Sequence, residues 1–242
     1  MDQGVPLDPL SNSADPTDAA SVVDPRAGVS AEQAAAARRR TALRWGIAGV
    51  LAPPLTVLPH EMGHYLVYAW LGLPDATLHY GSATWTGSSA FWDAIRQGDH
   101  AAAAAIAPVS GVATGYAMGP VATYLVVLAC CWLCAKWRPH PLLVAVGYLS
   151  NLRIVGPGSV VVLQILGYQV RSTCDECQLS ALTGVPLAVL ASIGFLSLIG
   201  AGIWLARYFP RRDRRIAVLS LALGFGLGSV VYAQLLGPLV LP

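Results

Sequence analysis

Charged residues are scarce in this chain. Only 12% of its 242 residues are Asp, Glu, Lys or Arg, about half of the share usual in a soluble domain, whereas 55% are apolar. This composition excludes an ordinary soluble enzyme, a nucleic-acid-binding protein and a disordered chain. The mean hydropathy of +0.56 indicates instead a protein that crosses a membrane several times.

The few acidic residues are distributed unevenly. Six of the 13 acidic residues lie within residues 1–40, so that seven remain for the whole of the apolar chain beyond. A carboxylate at membrane depth is costly unless it has a partner or a function. These seven acids are therefore the first residues to consider: Glu61, Asp75, Asp93, Asp99, Asp175, Glu176 and Asp213.

The composition of the chain changes near residue 40. Residues 1–30 are rich in Pro, Asp and Ser and lack apolar periodicity, which predicts a disordered tail, and residues 31–40 predict a short entry helix. Residues 41–242 predict one membrane-embedded domain. Its class is an all-α polytopic membrane protein with about five to six transmembrane helices.

Five apolar stretches are long enough to cross a hydrocarbon core of about 30 Å. They lie at residues 43–71, 121–137, 142–168, 185–206 and 216–239. An Ala-rich piece at residues 101–116 is ambiguous. Five crossings with a cytoplasmic N-terminus place every Arg and Lys cluster on the inner side, whereas six crossings place at least one cluster outside. We therefore expect residues 101–116 to form a re-entrant or partly inserted helix.

Residues 73–100 are more polar than the apolar stretches on either side. Within them, Leu78-His79-Tyr80 and Ala83-Thr84-Trp85 are candidates for two short strands. The sequence thus predicts a short β-hairpin after the first transmembrane helix.

His60-Glu61-Met62-Gly63-His64 lies inside the first apolar stretch and matches the pattern HExxH. Residues four apart lie on one face of a helix, so His60 and His64 can present two nitrogens to one metal ion. Glu61 is placed to act as the general base on a water that the metal activates. Two histidines and a Glu on an amphipathic core helix would be the alternative, but here the flanking residues are apolar, which favours a metal.

Catalytic zinc uses three protein ligands and an open position, so a third ligand is needed. Asp213 lies among arginines, and three other acids lie in the polar residues 73–100. Asp175 and Glu176 form the only acidic pair after the Gly156-Pro157-Gly158 break. The residues alone leave Asp175, Glu176 and His79 as candidates for the third ligand.

At this point the sequence resembles the site-2 protease family of intramembrane zinc metalloproteases, and more closely its short bacterial branch, the peptidase-family-50-like proteins. Three stretches carry the resemblance: Pro59 to His64, then Met118-Gly119-Pro120-Val121-Ala122-Thr123-Tyr124, then Asp175-Glu176-Cys177 with Thr183-Gly184-Val185-Pro186 eight residues on. The resemblance implies that Asp175 is the third zinc ligand. Thr123 stands where the family pattern has an Asn.

Two polar residues in the third apolar stretch are further candidates. Arg153 lies near the middle of that stretch, where it could stabilise an oxyanion or pair with a carboxylate. Asn151 could hydrogen-bond an extended substrate strand or, equally, a neighbouring helix. Cys174 and Cys177 bracket Asp175 and Glu176, and a disulfide between them could stiffen or switch that loop if it lies outside the cell.

The function expected from the sequence is hydrolysis of peptide bonds in membrane-protein substrates by an intramembrane zinc metalloprotease. His60, His64 and Asp175 would bind one zinc ion per chain, with Glu61 as the base. The substrate would be a transmembrane or juxtamembrane segment, and the protein would reside in a bacterial plasma membrane with its N-terminus in the cytoplasm. The alternatives are a non-catalytic membrane scaffold of the same fold and a metal or proton transporter.

Overall fold

A computed structural model of the protein describes residues 31–168 and 174–241. The tail predicted for residues 1–30 therefore lies outside the described residues. The predicted entry helix and the first apolar stretch form one helix, α1, from Ala31 to Trp70. It passes through Pro53, Pro54 and Pro59 without ending. Thr56 Oγ1 donates to the Pro53 carbonyl at 3.0 Å, which satisfies a carbonyl near the prolines.

The remaining elements follow α1 in chain order. A two-stranded antiparallel hairpin comes first, with β1 at Thr77–His79 and β2 at Ser82–Thr84, as predicted. The helices are α2 Ser88–Gln97, α3 His100–Ile106, α4 Val109–Lys136, α5 Pro141–Ser150, α6 Val155–Ile165, α7 Asp175–Thr183, α8 Leu187–Ala206, α9 Arg214–Val231 and α10 Gly237–Val240. A 3-10 helix, Asn151–Ile154, joins α5 to α6, and a π-helix, Tyr232–Leu236, joins α9 to α10.

Five helical segments in the described residues are long and apolar enough to cross a membrane, which is consistent with an integral membrane protein. They are Ala31–Trp70, Val109–Lys136, Pro141–Ile165, Leu187–Ala206 and Arg214–Val240. The Ala-rich piece predicted as one inserted helix is instead divided between α3 and the first turns of α4. Pro108 separates the two because it disfavours a helical conformation for Ala107, whose φ of −155° and ψ of 153° are extended.

Small residues bring the backbones of α1 and α9 into direct contact. A Cβ added at Gly224 would overlap the Gly46 carbonyl, and one added at Gly228 would overlap the Val50 carbonyl. On α1, Gly63 approaches Met118 of α4 just as closely. Without a hydrophobic drive between helices in lipid, such close packing is a main source of helix association.

The two ends of the bundle differ in charge. Trp45 of α1 stacks on Phe209, and the side chains of Arg38 and Asp213 approach to 4.0 Å, so the basic segments before α1 and between α8 and α9 share one end. Cys130 and Cys134, close to Lys136, belong to the same buried cluster as Trp45. The opposite end carries the hairpin, α2 and α3, whose apolar residues pack around Tyr68 in a second cluster.

Candidate metal centre

His60 and His64 face one another across one turn of α1. Their Nε2 atoms are 3.2 Å apart and their rings are nearly perpendicular. His64 is buried, with 4% of its surface exposed. Their spacing of four residues and the regular helix between them place both imidazoles on the face that α4 contacts.

The other ring nitrogen of each histidine has its own partner on α4. Nδ1 of His64 donates to the Gly115 carbonyl at 2.8 Å, since a carbonyl can only accept. Nδ1 of His60 lies 2.9 Å from Thr123 Oγ1, whose hydroxyl donates to the Gly119 carbonyl, so that Thr123 accepts from His60. Both histidines are thus protonated at Nδ1, and both Nε2 lone pairs point at the same space, as in metal-binding histidines.

Asp175 completes this group. Its Oδ2 lies 2.9 Å from Nε2 of His60 and its Oδ1 lies 3.4 Å from Nε2 of His64. One ligand atom from each of the three residues falls within 4.8 Å of the others, so the three could hold a metal ion. We call His60, His64 and Asp175 the metal group. Lone pairs this close repel each other unless a metal ion or additional protons lie between them.

Asp175 is the first residue of α7, and two constraints set its position. Cys174 caps α7 and forms a disulfide with Cys177 in the first turn. Arg153 of the 3-10 helix donates to Asp175 Oδ2 at 2.7 Å and to Glu176 Oε1 at 2.7 Å. The guanidinium therefore holds both carboxylates in place: Nη2 binds Asp175, which faces the histidines, and Nη1 binds the buried Glu176, to which Nη2 also donates at 3.2 Å.

With both histidines neutral, the charges around the group do not balance without a cation. Of the described residues that line this space, Glu61, Asp175 and Glu176 are acidic, whereas Arg153 is the permanent cation. The deficit of two positive charges is the charge of one divalent metal ion.

Glu61 borders the same cavity, which has a volume of about 490 Å³. The backbone N–H of Ala83 on β2 donates a hydrogen bond to its carboxylate, so the hairpin forms one wall of the cavity. That wall is anchored by Tyr232, whose hydroxyl donates to the Tyr80 carbonyl at 2.5 Å. Gly156 and Pro157 of α6 line another side of the cavity.

The other candidate residues occupy distinct positions. Glu176 is buried and pairs with Arg153 rather than joining the metal group. His79 stands at the end of β1, opposite Ser82, and is not part of that group either. Asn151 donates to the Gly147 carbonyl at 2.9 Å and accepts from Ser197 of α8 at 3.0 Å, which is the neighbouring-helix alternative. Arg153 pairs with the carboxylates of Asp175 and Glu176, which is one of the two roles that the sequence predicted for it.

The sequence did not single out Gly115, Tyr68 or Tyr116, and it gave Gly119 and Thr123 only as part of a family motif, not as partners of the histidines. Gly115, Gly119 and Thr123 lie four residues apart and form the α4 face against the histidines. Tyr68 and Tyr116 also line the cavity, and Trp92 Nε1 donates to the Tyr116 hydroxyl at 3.0 Å. The available signal was the spacing of small residues on one face of α4, but it does not reveal which helix that face meets.

Comparisons of the chain with protein-family models, with curated proteins and with solved structures find no match. The resemblance to the site-2 protease family therefore rests on the motifs given above. The function must be argued from the residues of the site itself.

Proposed function

We propose that the protein is an intramembrane zinc metalloprotease that hydrolyses peptide bonds of membrane-protein substrates. One observation carries the proposal: the Nε2 atoms of His60 and His64 and the Asp175 carboxylate lie close enough together to hold one metal ion, with Glu61 beside them on the same cavity. Two His and one carboxylate form a ligand set known from catalytic zinc, and three protein ligands leave a coordination position open.

Zinc bound by His60, His64 and Asp175 would supply Lewis acidity that polarises water and the scissile carbonyl. The residues of the chain perform the proton transfers. Glu61 accepts a proton from the attacking water, whose oxygen bonds to the carbonyl carbon. As the C–N bond breaks, Glu61 returns that proton to the leaving nitrogen. Arg153 holds Asp175 throughout and offers positive charge to a developing oxyanion at the cavity wall.

The substrate would be an extended transmembrane or juxtamembrane segment lying along the hairpin. Peptide bonds inside a helix are shielded by their own hydrogen bonds, so the segment must unwind before water can attack. The outer edge of β2 passes directly in front of Glu61, as the Ala83 N–H contact requires. A strand added there would place its carbonyl groups in the cavity between Glu61 and Gly156.

The proposal includes an orientation. The basic segments lie at the end of the bundle away from the metal group, and such segments mark the cytoplasmic side. The Cys174–Cys177 disulfide lies at the metal-group end, and disulfides persist in oxidising compartments. These two arguments are independent and agree. They favour a cytoplasmic N-terminus and a site near the outer face.

The test compares Glu61→Gln with wild type in membrane vesicles. Zinc content is measured in the purified protein, and new peptide termini in co-reconstituted membrane proteins are counted by mass spectrometry. We expect Glu61→Gln to keep one zinc ion per chain and lose all cleavage, since the base is not a ligand. Glu32→Gln, at the exposed start of the same helix, should change neither. A wild-type protein without zinc would overturn the proposal.

The third ligand has a separate test. Asp175→Asn should lower zinc occupancy, whereas Asp99→Asn should not, because Asp99 caps α3 and Asn serves equally well as a cap. The reverse pattern would overturn the assignment. Zinc-loaded wild type that cleaves nothing in the vesicle assay would favour the scaffold, and zinc flux into vesicles would favour the transporter.

A further inference from the structure

The Cys174–Cys177 disulfide closes a ring of four residues that contains Asp175 and Glu176. We propose that this disulfide is a redox-controlled modification site that sets the affinity of the metal centre. The oxidised protein binds zinc tightly and the reduced protein binds it weakly. The inference rests on the proposed function only in taking Asp175 as a zinc ligand.

The disulfide constrains the turn that presents the ligand. Cys174 Sγ accepts from the Cys177 backbone N–H at 3.2 Å, and the Cys174 carbonyl accepts from Gln178 N–H at 2.9 Å, so the first turn of α7 is built around the bridge. Asp175 must point toward the histidines while Glu176, the next residue, points toward Arg153. A metal site tolerates displacements of only about 0.5 Å in its ligands. Opening the ring frees the backbone of both residues at once.

The bridge is also reachable. Cys174 lines the same cavity as His60 and Glu61, and both cysteines are half-buried rather than enclosed. The other three cysteines, Cys130, Cys131 and Cys134, are thiols in α4, and two of them are buried in the cluster at the opposite end of the bundle. Thiols and disulfide are therefore separated along the chain, and the disulfide is the pair that lies next to the metal ligands.

The redox step is an exchange with a dithiol, such as the active-site cysteine pair of an exported thiol–disulfide oxidoreductase. One thiolate of the reductant attacks Cys174 Sγ, the S–S bond breaks, and Cys177 leaves as a thiolate. The second thiol of the reductant then displaces Cys174. Two electrons and two protons pass to the cysteine pair, and the reductant becomes a disulfide. Oxidation reverses the transfer with an oxidised partner of the same class.

The experiment measures the zinc affinity of the purified full-length chain in oxidised and dithiol-reduced forms. Excess reductant is removed under anaerobic conditions before titration with zinc against a chelator. We expect reduction to weaken binding by about 10- to 100-fold, the range typical when support of a metal ligand is lost. Cys174→Ser/Cys177→Ser should bind as weakly as the reduced protein and ignore the reductant. Cys130→Ser/Cys131→Ser/Cys134→Ser should keep the full response.

The outcomes separate this inference from the proposed function. Equal zinc affinity in the oxidised and reduced wild type overturns the redox control and leaves the metalloprotease proposal intact. No zinc binding by the oxidised protein overturns the metalloprotease proposal. Tighter binding after reduction, with thiolate-to-cobalt charge transfer in the Co²⁺-substituted protein, also overturns the inference, because a cysteine would then be a ligand. If the serine variant fails to fold, the reduced wild-type protein still gives the answer. Circular dichroism checks that the reduced wild-type protein keeps its helices.

Discussion

Gly119 of α4 lies directly against the imidazole of His64. A Cβ at this position would overlap His64 Nε2 and would come within 2.8 Å of Cε1 of His60. The missing side chain is what allows both histidines to turn their Nε2 atoms inward while α4 stays close enough to bind their Nδ1 atoms.

Gly119→Ala should therefore abolish tight metal binding. The added methyl group forces His64 out of its position, and we expect zinc affinity to fall by at least about tenfold. Isothermal titration with zinc measures the change. Gly200→Ala is the matched control, because a Cβ at Gly200 on α8 meets nothing within 4 Å. Unchanged zinc affinity in Gly119→Ala would show that the histidines do not bind metal in this arrangement.

Thr123→Val should weaken zinc binding by about 10- to 100-fold, since it removes the acceptor that holds the proton of His60 on Nδ1. Thr123→Ser keeps the hydroxyl and should restore the affinity. Thr114→Val serves as the control, because the Thr114 hydroxyl is exposed and donates to the Ser110 carbonyl of its own helix. A valine variant with wild-type zinc affinity would remove Thr123 from the site.

Arg153→Met should lower the free energy of unfolding by about 3 kcal/mol, because it leaves two carboxylates in a mostly buried place without their cation. Arg96→Met should cost less than about 1 kcal/mol, since its partner Asp93 and the arginine itself are exposed. Thermal unfolding in detergent gives both values.

The same variant can be checked by a second substitution. Adding Glu176→Gln to Arg153→Met removes one of the unpaired charges and should recover part of the lost stability. If the double variant is no more stable than Arg153→Met, then Arg153 does not act through Glu176.

Tyr232→Phe should reduce cleavage several-fold at unchanged zinc affinity. The substitution removes the hydroxyl that holds the Tyr80 carbonyl, which costs about 1 kcal/mol of hairpin anchoring and lets β2 move away from Glu61. Tyr148→Phe, at the other end of the bundle beside Phe209, should leave cleavage unchanged. A parallel loss of zinc in Tyr232→Phe would show that the hairpin supports the metal rather than the substrate.

The hydropathy of the sequence predicted the transmembrane helices well and their ends poorly. The five apolar stretches are confirmed as five helices long enough to span, because about 20 apolar residues leave few alternatives. The helix ends depend on single residues instead. Residues 101–116 are mostly apolar, so hydropathy treats them as one segment, and it is Pro108 that ends the helix before it.

The metal group was only partly predictable for a related reason. His60 and His64 are paired by helix periodicity, which is local and visible in the sequence. Asp175 lies more than a hundred residues away and could be favoured over Glu176 only through a family resemblance. The structure distinguishes the two acids because Asp175 lies against Nε2 of His60 and His64, whereas Glu176 turns away from them and pairs with Arg153. The partners on α4 depend on how two helices cross, which no spacing within one helix specifies.

The glycine contacts between α1 and α9 also restrict how a lipid-embedded substrate can approach. Gly224 and Gly228 lie against the backbone of α1, and Tyr232 is bonded to the Tyr80 carbonyl of the hairpin, so α1 and α9 are in direct contact along this seam. Gly156, in contrast, has open space where its side chain would be, and it borders the cavity from the opposite wall. For the proposed protease we therefore expect lateral access from the bilayer on the α6 side, where a bulky residue introduced at Gly156 would narrow the cavity.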